Sequence, residues 1–197
     1  MNRTFLSIDP AKSTGWAIIK IMPNDEETSL GSYMKDNLFV NIIEYGIIET
    51  DTNCSEGQLC KKYKDNIHEL IKKNNITDVV IENYFFSYKA RQGAMINVYL
   101  RTMIYLLCEE LDINYEIINV SDWKRYICGT IKPTVDFIKK HGKKNSNKLM
   151  VKVSLEDKYN IKFPDKMKSL KTNKMINFRY DIIDAVAICI YRINTLK

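Results

Sequence analysis

Apolar positions fall into short runs in the first part of the chain, and their period changes partway along. Residues 4–9 form a compact apolar run that closes on a carboxylate, Asp9. The turn-like stretch Pro10-Ala11-Lys12-Ser13-Thr14-Gly15 separates it from a second apolar run at 16–21. Both runs read as buried strands. Residues 23–37 are polar, carry Gly31 and an Asp-Glu-Glu cluster, and read as a long loop. Residues 38–49 return to Ile, Val, Phe and Tyr, which predicts a third strand and, with the first two, an antiparallel meander. From residue 56 the pattern becomes helical. Leu59, Tyr63, Ile67, Leu70 and Ile71 recur on one face and predict an amphipathic helix to about residue 74. The run Val79-Val80-Ile81-Glu82 suits a strand covered on both faces. A long helical pattern over 90–111, a strand-like run over 115–120, a polar and lysine-heavy segment over 135–174 and an apolar helix over 178–196 complete the chain.

This order of elements resembles the ribonuclease H-like fold, an α/β arrangement in which a five-stranded mixed sheet is flanked by helices. With 197 residues the chain fits one such domain, 1–197, with insertions near 22–37 and 129–147. A hydrophobic content of 45% and an aromatic content of 11% exclude intrinsic disorder, and 7 Gly with 4 Pro exclude collagen-like or linker-like chains. Five cysteines, an odd number with no CxxC spacing, read as buried thiols rather than a disulfide framework or zinc site. No apolar run approaches the roughly 18 residues of a membrane helix. A reducing, cytosol-like compartment is expected.

Strand-end carboxylates carry the chemistry. Asp9 follows Leu6-Ser7-Ile8, and Glu82 follows Val79-Val80-Ile81. Central strands of open α/β sheets present ligand sites at their carboxyl ends. In the terminal helix Asp181 and Asp184 lie three residues apart, so they share one face, and the residues around them are almost wholly apolar. Taken singly, each acid suits a turn, a strand end or a helix start. Taken together, like charges converging in an apolar setting need a cation. Hard oxygen donors suit Mg²⁺ or Mn²⁺, and a two-ion site supports phosphodiester hydrolysis.

Ser7-Ile8-Asp9-Pro10-Ala11-Lys12-Ser13-Thr14-Gly15-Trp16 resembles the opening motif of the RuvC family of Holliday junction resolvases. Ile81-Glu82-Asn83-Tyr84-Phe85 is similar to its second acidic motif, and Asp181-Ile182-Ile183-Asp184-Ala185-Val186-Ala187-Ile188 to its final helix. The resemblance implies a homodimeric endonuclease that makes paired, metal-dependent nicks across a four-way DNA junction. It implies two Mg²⁺ or Mn²⁺ ions held by Asp9, Glu82, Asp181 and Asp184. It further implies that Phe85 stacks on junction bases and that Lys124 and Lys148 approach the DNA backbone, Lys148 close to the reacting phosphate. Where the family usually has Gly, Ala11 requires that the turn after Asp9 accept a Cβ.

Charge gives independent support. The net of +6 is modest, but residues 1–123 hold 12 basic and 18 acidic residues, whereas 124–174 hold 15 basic and 4 acidic, a net of +11. A concentrated basic block beside an acid site is the footprint expected of DNA-backbone binding. Tyr84, Phe85, Phe86 and Tyr88 are too many aromatics for one core face, so some are expected to be exposed. Trp16 and Trp123 read as core or partly buried, and His68 and His141 carry no assigned role. On the 90–111 helix, Ile96, Tyr99, Met103, Ile104 and Tyr105 exceed one apolar face and suggest a two-fold dimer interface. Two rival functions remain at this level: a ribonuclease H-like nuclease acting on RNA–DNA hybrids or flaps, and a non-catalytic nucleic-acid-binding module. The Lys-, Asn- and Ile-rich composition suits an AT-rich genome such as a virus's.

Overall fold

The structure, a computed structural model, describes residues 3–11, 13–23, 31–49, 54–83, 91–144, 146–168 and 174–196. Its elements are β1 (Arg3–Asp9), β2 (Ser13–Met22), β3 (Ser32–Lys35), β4 (Leu38–Glu49), α1 (Glu56–Asn74), β5 (Asp78–Asn83), α2 (Arg91–Glu110) and β6 (Asn114–Asn119). They continue with α3 (Val120–Cys128), α4 (Val135–His141), α5 (Ser146–Tyr159), β7 (Lys166–Lys168), β8 (Met175–Asn177) and α6 (Tyr180–Asn194).

The main sheet has the order β3-β4-β2-β1-β5-β6. β1 and β2 pair antiparallel, as do β2 and β4 and then β3 and β4, while β1–β5 and β5–β6 are parallel. The sheet is mixed and flanked by helices as expected, but it has six strands rather than five. The sixth is β3, inside the segment read as a loop. It pairs Lys35 with Leu38 across Asp36 and Asn37, whose φ values are 50° and 65°. Two adjacent residues with positive φ make the tight turn whose twist matches a hairpin, and Asp and Asn tolerate it best after Gly. A separate hairpin, β7–β8, and helices α3, α4 and α5 occupy the stretch in which the sequence pattern was weakest. α5 needs few apolar residues because Met150, Val151 and Leu155 alone bury one face of it.

The sheet separates two apolar layers. Leu6, Ile8, Trp16 and Ile18 pack with Tyr63, Ile67, Leu100 and Ile104 from α1 and α2. Phe5, Ala17, Ile19 and Val80 pack on the other face with α3, α5 and the almost wholly buried α6. Alternation along β1 therefore turns Phe5, Ser7 and Asp9 toward α6. The same alternation along β5 turns Val80 and Glu82 that way. In β4 a register shift opposite Ile18/Ile19 leaves Ile43 exposed and changes which face the strand's later residues supply. α1 begins on a capping box, Ser55 with Gln58, and ends on Asn75 in the left-handed region.

Two residues proposed as surplus on the second long helix are core: Ile104 is fully buried and Met103 nearly so. Among the described side chains of that helix, the exposed large apolar residues are Met95 and Leu106. A 20-residue helix crossing another helix and a sheet uses more than one stripe, so apolar count alone overstates its free surface. No helix among the described residues is long and apolar enough to cross a membrane.

Candidate active site

The parallel register of β1 and β5 ends with Ile8 opposite Ile81. Asp9 and Glu82 follow directly, side by side at the carboxyl ends of adjacent strands and on the face covered by α6. The helix is drawn down onto the sheet at two points. Ser7 Oγ donates a 2.6 Å hydrogen bond to the carbonyl of Ala185. Opposite Asp9, Gly15 lies so close to the first turn of α6 that a Cβ there would fall 2.0 Å from the carbonyl oxygen of Asp181. Only glycine permits this approach, which sets Asp181 and Asp184 over the strand ends.

The turn after Asp9 is closed locally. Thr14 Oγ1 donates to the Ala11 carbonyl at 2.8 Å and accepts from the Ala11 amide at 3.2 Å, and Tyr63 Oη donates to the same hydroxyl at 2.9 Å. Ala11 is not among the described residues with positive φ, so its Cβ is accepted without strain.

The four acids sense one another. Burial, followed by the charge of Glu82, raises the Asp9 carboxyl well above the usual carboxylate range. Glu82 is raised chiefly by burial, and the charge of Asp184 adds to this, while hydrogen bonds from Asp9 and Trp123 oppose it. Asp184 is pushed up to about 7 by burial and then by the charge of Asp9. Asp181 is held differently. Lys148 Nζ meets its Oδ1 at 3.2 Å, and Arg179 donates to its Oδ2 at 2.9 Å. Lys124, stacked 5.1 Å from the Trp123 ring centroid, favours the ionised forms of Glu82 and Asp184.

Two contributors were not singled out from the sequence. Trp123 is buried as expected, but its Nε1 donates to Glu82 Oε1 at 2.9 Å. Arg179 precedes α6 and joins Asp181 to Ser13, to which it donates at 2.6 Å. The signal for Arg179 was a lone cation two residues before Asp181. For Trp123 the signal was its place beside Lys124, since a buried indole N–H usually finds an acceptor. Phe85 and its aromatic neighbours lie outside the described residues.

The donor set is all carboxylate, which suits a hard cation. Among the described residues no three His, Cys, Asp or Glu side chains stand as a ready-made cage, and both oxygens of Asp181 are engaged by cations. The acids fit Mg²⁺ or Mn²⁺ by chemistry and by their mutual repulsion. Asp181 would have to exchange a Lys148 or Arg179 contact to take part.

No family profile matches the chain. It is 25% identical over 124 residues to the crossover junction endodeoxyribonuclease RuvC of Synechocystis; the match covers 62% of this chain and 66% of that protein, just under two thirds. Over 98% of its length it superposes on the Thermus thermophilus RuvC structure with a TM-score of 0.62 at 15% identity, covering 94% of that chain. It matches the structure of T. thermophilus RuvC in complex with Holliday junction substrate with the same score and coverage, at 13% identity. A yeast mitochondrial Holliday junction resolvase gives 0.57 at 14% identity, over 98% of this chain and 78% of that one. The RuvC likeness seen in the sequence thus recurs in an independent sequence match and in the fold of nearly the whole chain.

Proposed function

We propose that this chain is a structure-selective endonuclease that resolves Holliday junctions by paired, divalent-metal-dependent phosphodiester hydrolysis. The reading rests on one observation: Asp9 and Glu82 lie side by side at parallel strand ends, beneath Asp181 and Asp184, within a RuvC-like fold.

Asp9, Glu82, Asp181 and Asp184 would hold two Mg²⁺ or Mn²⁺ ions. Bound there, the ions would supply an activated water and charge stabilisation for the leaving oxygen. The chain's own groups act around them. Trp123 fixes the Glu82 carboxylate and Arg179 fixes Asp181. Lys148, with its side chain 48% exposed, offers an ammonium to the DNA phosphate beside Asp181. Lys124 offers a second cation on the same side. Phe85, three residues beyond Glu82 in sequence, is assigned the stacking against junction bases that the family resemblance implies. The domain is read as 1–197, elaborated near 22–37 and 129–147.

A homodimer is part of the proposal. Met95 and Leu106 of α2 and Tyr115 and Ile117 of the edge strand β6 are exposed apolar residues, and a stacked Tyr105–Tyr115 pair joins the two elements. Sedimentation equilibrium showing a monomer at micromolar concentration, with and without junction DNA, would remove this part.

The test incubates the protein with a labelled four-way junction, an RNA–DNA hybrid and plain duplex, in Mg²⁺ or EDTA. Symmetric nicks on the junction alone, lost in Asp9→Asn and in EDTA, are expected. Cutting of the hybrid but not the junction would overturn the substrate, and activity surviving EDTA would overturn the metal mechanism.

A further inference from the structure

At the end of the sheet away from the acids, β3 pairs only with residues 38–41 of β4. From Ile43 onward the outer edge of β4 carries no strand among the described residues. The β7–β8 hairpin stands across from this edge and leaves a cleft of about 230 Å³. Tyr45 and Ile47 of β4 line one side, and Met167 and Ile176, which are register partners in the hairpin, line the other. Glu49 and Arg179 close the end nearest the acids.

Three features limit what the cleft can take. Its volume is below that of pockets that enclose drug-sized molecules, so it suits a single ring system. Its walls are largely apolar and include aromatics, with Glu44 and Lys168 also lining it, and the end nearest the acids offers the Glu49 carboxylate as acceptor beside the Arg179 guanidinium as a planar donor. Finally, the hairpin that forms one wall carries exposed Lys166 and Lys168, the latter lining the cleft, with exposed Lys174 directly before β8, all within the basic block of the chain. Apolar walls beneath a row of lysines match a nucleotide, with its base in the cleft and its phosphate on the lysines.

Arg179 joins this cleft to the reaction site. One terminal nitrogen lies 3.8 Å from Glu49, and the other donates to Asp181 and Ser13. An occupant that stacks on or bonds to the guanidinium would act on the residue that orients Asp181. We infer that the cleft between the β4 edge and the β7–β8 hairpin receives one unpaired nucleobase of the DNA, bounded by Tyr45, Met167 and Ile176, with its amino edge toward Glu49. This rests on the junction-cutting function proposed above and adds to it a base-binding subsite.

The experiment measures junction binding in Ca²⁺ for a series of four-way junctions, each with one abasic nucleotide at a successive position around the branch point. The wild type, Met167→Trp, which fills the cleft, and Glu49→Gln, which leaves its shape intact, are compared, with circular dichroism to verify folding. The wild type is expected to lose about tenfold in affinity at one position through loss of base stacking. That position should become insensitive in Met167→Trp and weaker in Glu49→Gln, while other sensitive positions stay unchanged. An identical pattern of sensitive positions in all three proteins would overturn the cleft as a base site. A wild type that binds intact junction no better than plain duplex would overturn the junction function itself, and the cleft proposal with it.

Discussion

Trp123 Nε1 donates a 2.9 Å hydrogen bond to Glu82 Oε1, fastening the first turn of α3 to the carboxyl end of β5. A buried residue thereby holds an acid of the candidate site. Trp123→Phe keeps an aromatic ring but removes the donor. Loss of a donor that leaves a buried acceptor unpaired should cost roughly 1–3 kcal/mol in stability. Because ligand-orienting partners typically matter 10–100-fold, the Mg²⁺ concentration for half-maximal junction cleavage should rise by about that factor. Cleavage titrated with Mg²⁺, beside urea unfolding, separates the two effects; an unchanged Mg²⁺ midpoint would show that the bond is only structural.

Gly15→Ala should be among the most damaging small substitutions in the chain. Its Cβ would collide with backbone atoms of Asp181 and Ile182 at 2.0–2.8 Å, and a backbone obstacle cannot rotate away. Overpacking of this kind costs roughly 1–3 kcal/mol or more, and the first turn of α6 must lift from the acids. Gly57→Ala, in the first turn of α1 with nothing within 4 Å of the added Cβ, should be neutral or stabilising by up to about 1 kcal/mol. Denaturant unfolding of the pair provides the comparison.

The acids should make the metal-free protein less stable as pH rises. Asp9, Glu82 and Asp184 retain protons in the folded chain that the unfolded chain releases near pH 4. Stability from this retention is complete below that value and is lost as pH climbs through the folded values, about 7 for Asp184. Thermal melting in EDTA should therefore fall between pH 5 and 8. Asp184→Asn should flatten the fall and raise the melting temperature at pH 8. A melting temperature that climbs across this window would contradict the coupling.

Lys148→Met should separate activity from stability. The lysine itself is half exposed and Arg179 still holds Asp181, so its loss should change stability by about 1 kcal/mol or less. Junction cleavage should nevertheless fall at least tenfold, with weakened dependence of binding on salt, as expected when a phosphate-facing cation is removed. Cleavage kinetics at two salt concentrations measure both.

Much of this site was legible because its signals are local. Asp9 and Glu82 stand at the ends of apolar runs, and Asp181 and Asp184 share a helical face, all readable within ten residues of sequence. Lys148 was placed by resemblance, and the structure sets it 3.2 Å from Asp181. The sixth strand was missed because its evidence is a turn, Asp36-Asn37, within polar sequence where the strand itself is short. Met103 and Ile104 were placed on a free face because burial depends on how many neighbours a helix has.

The sequence by itself determined the acids, the basic block and the order of the five central strands and the three longest-patterned helices, since periodicity and charge are properties of neighbouring residues. The tertiary structure alone decided that Trp123 serves Glu82, that Arg179 serves Asp181 and that Gly15 admits α6. Each is a contact between residues 41, 2 and 166 positions apart respectively, and even the short-range Arg179 pair depends on Ser13 across the fold. Such contacts follow from strand register and helix docking, which bring distant segments within a few ångströms and leave no periodic trace in the chain.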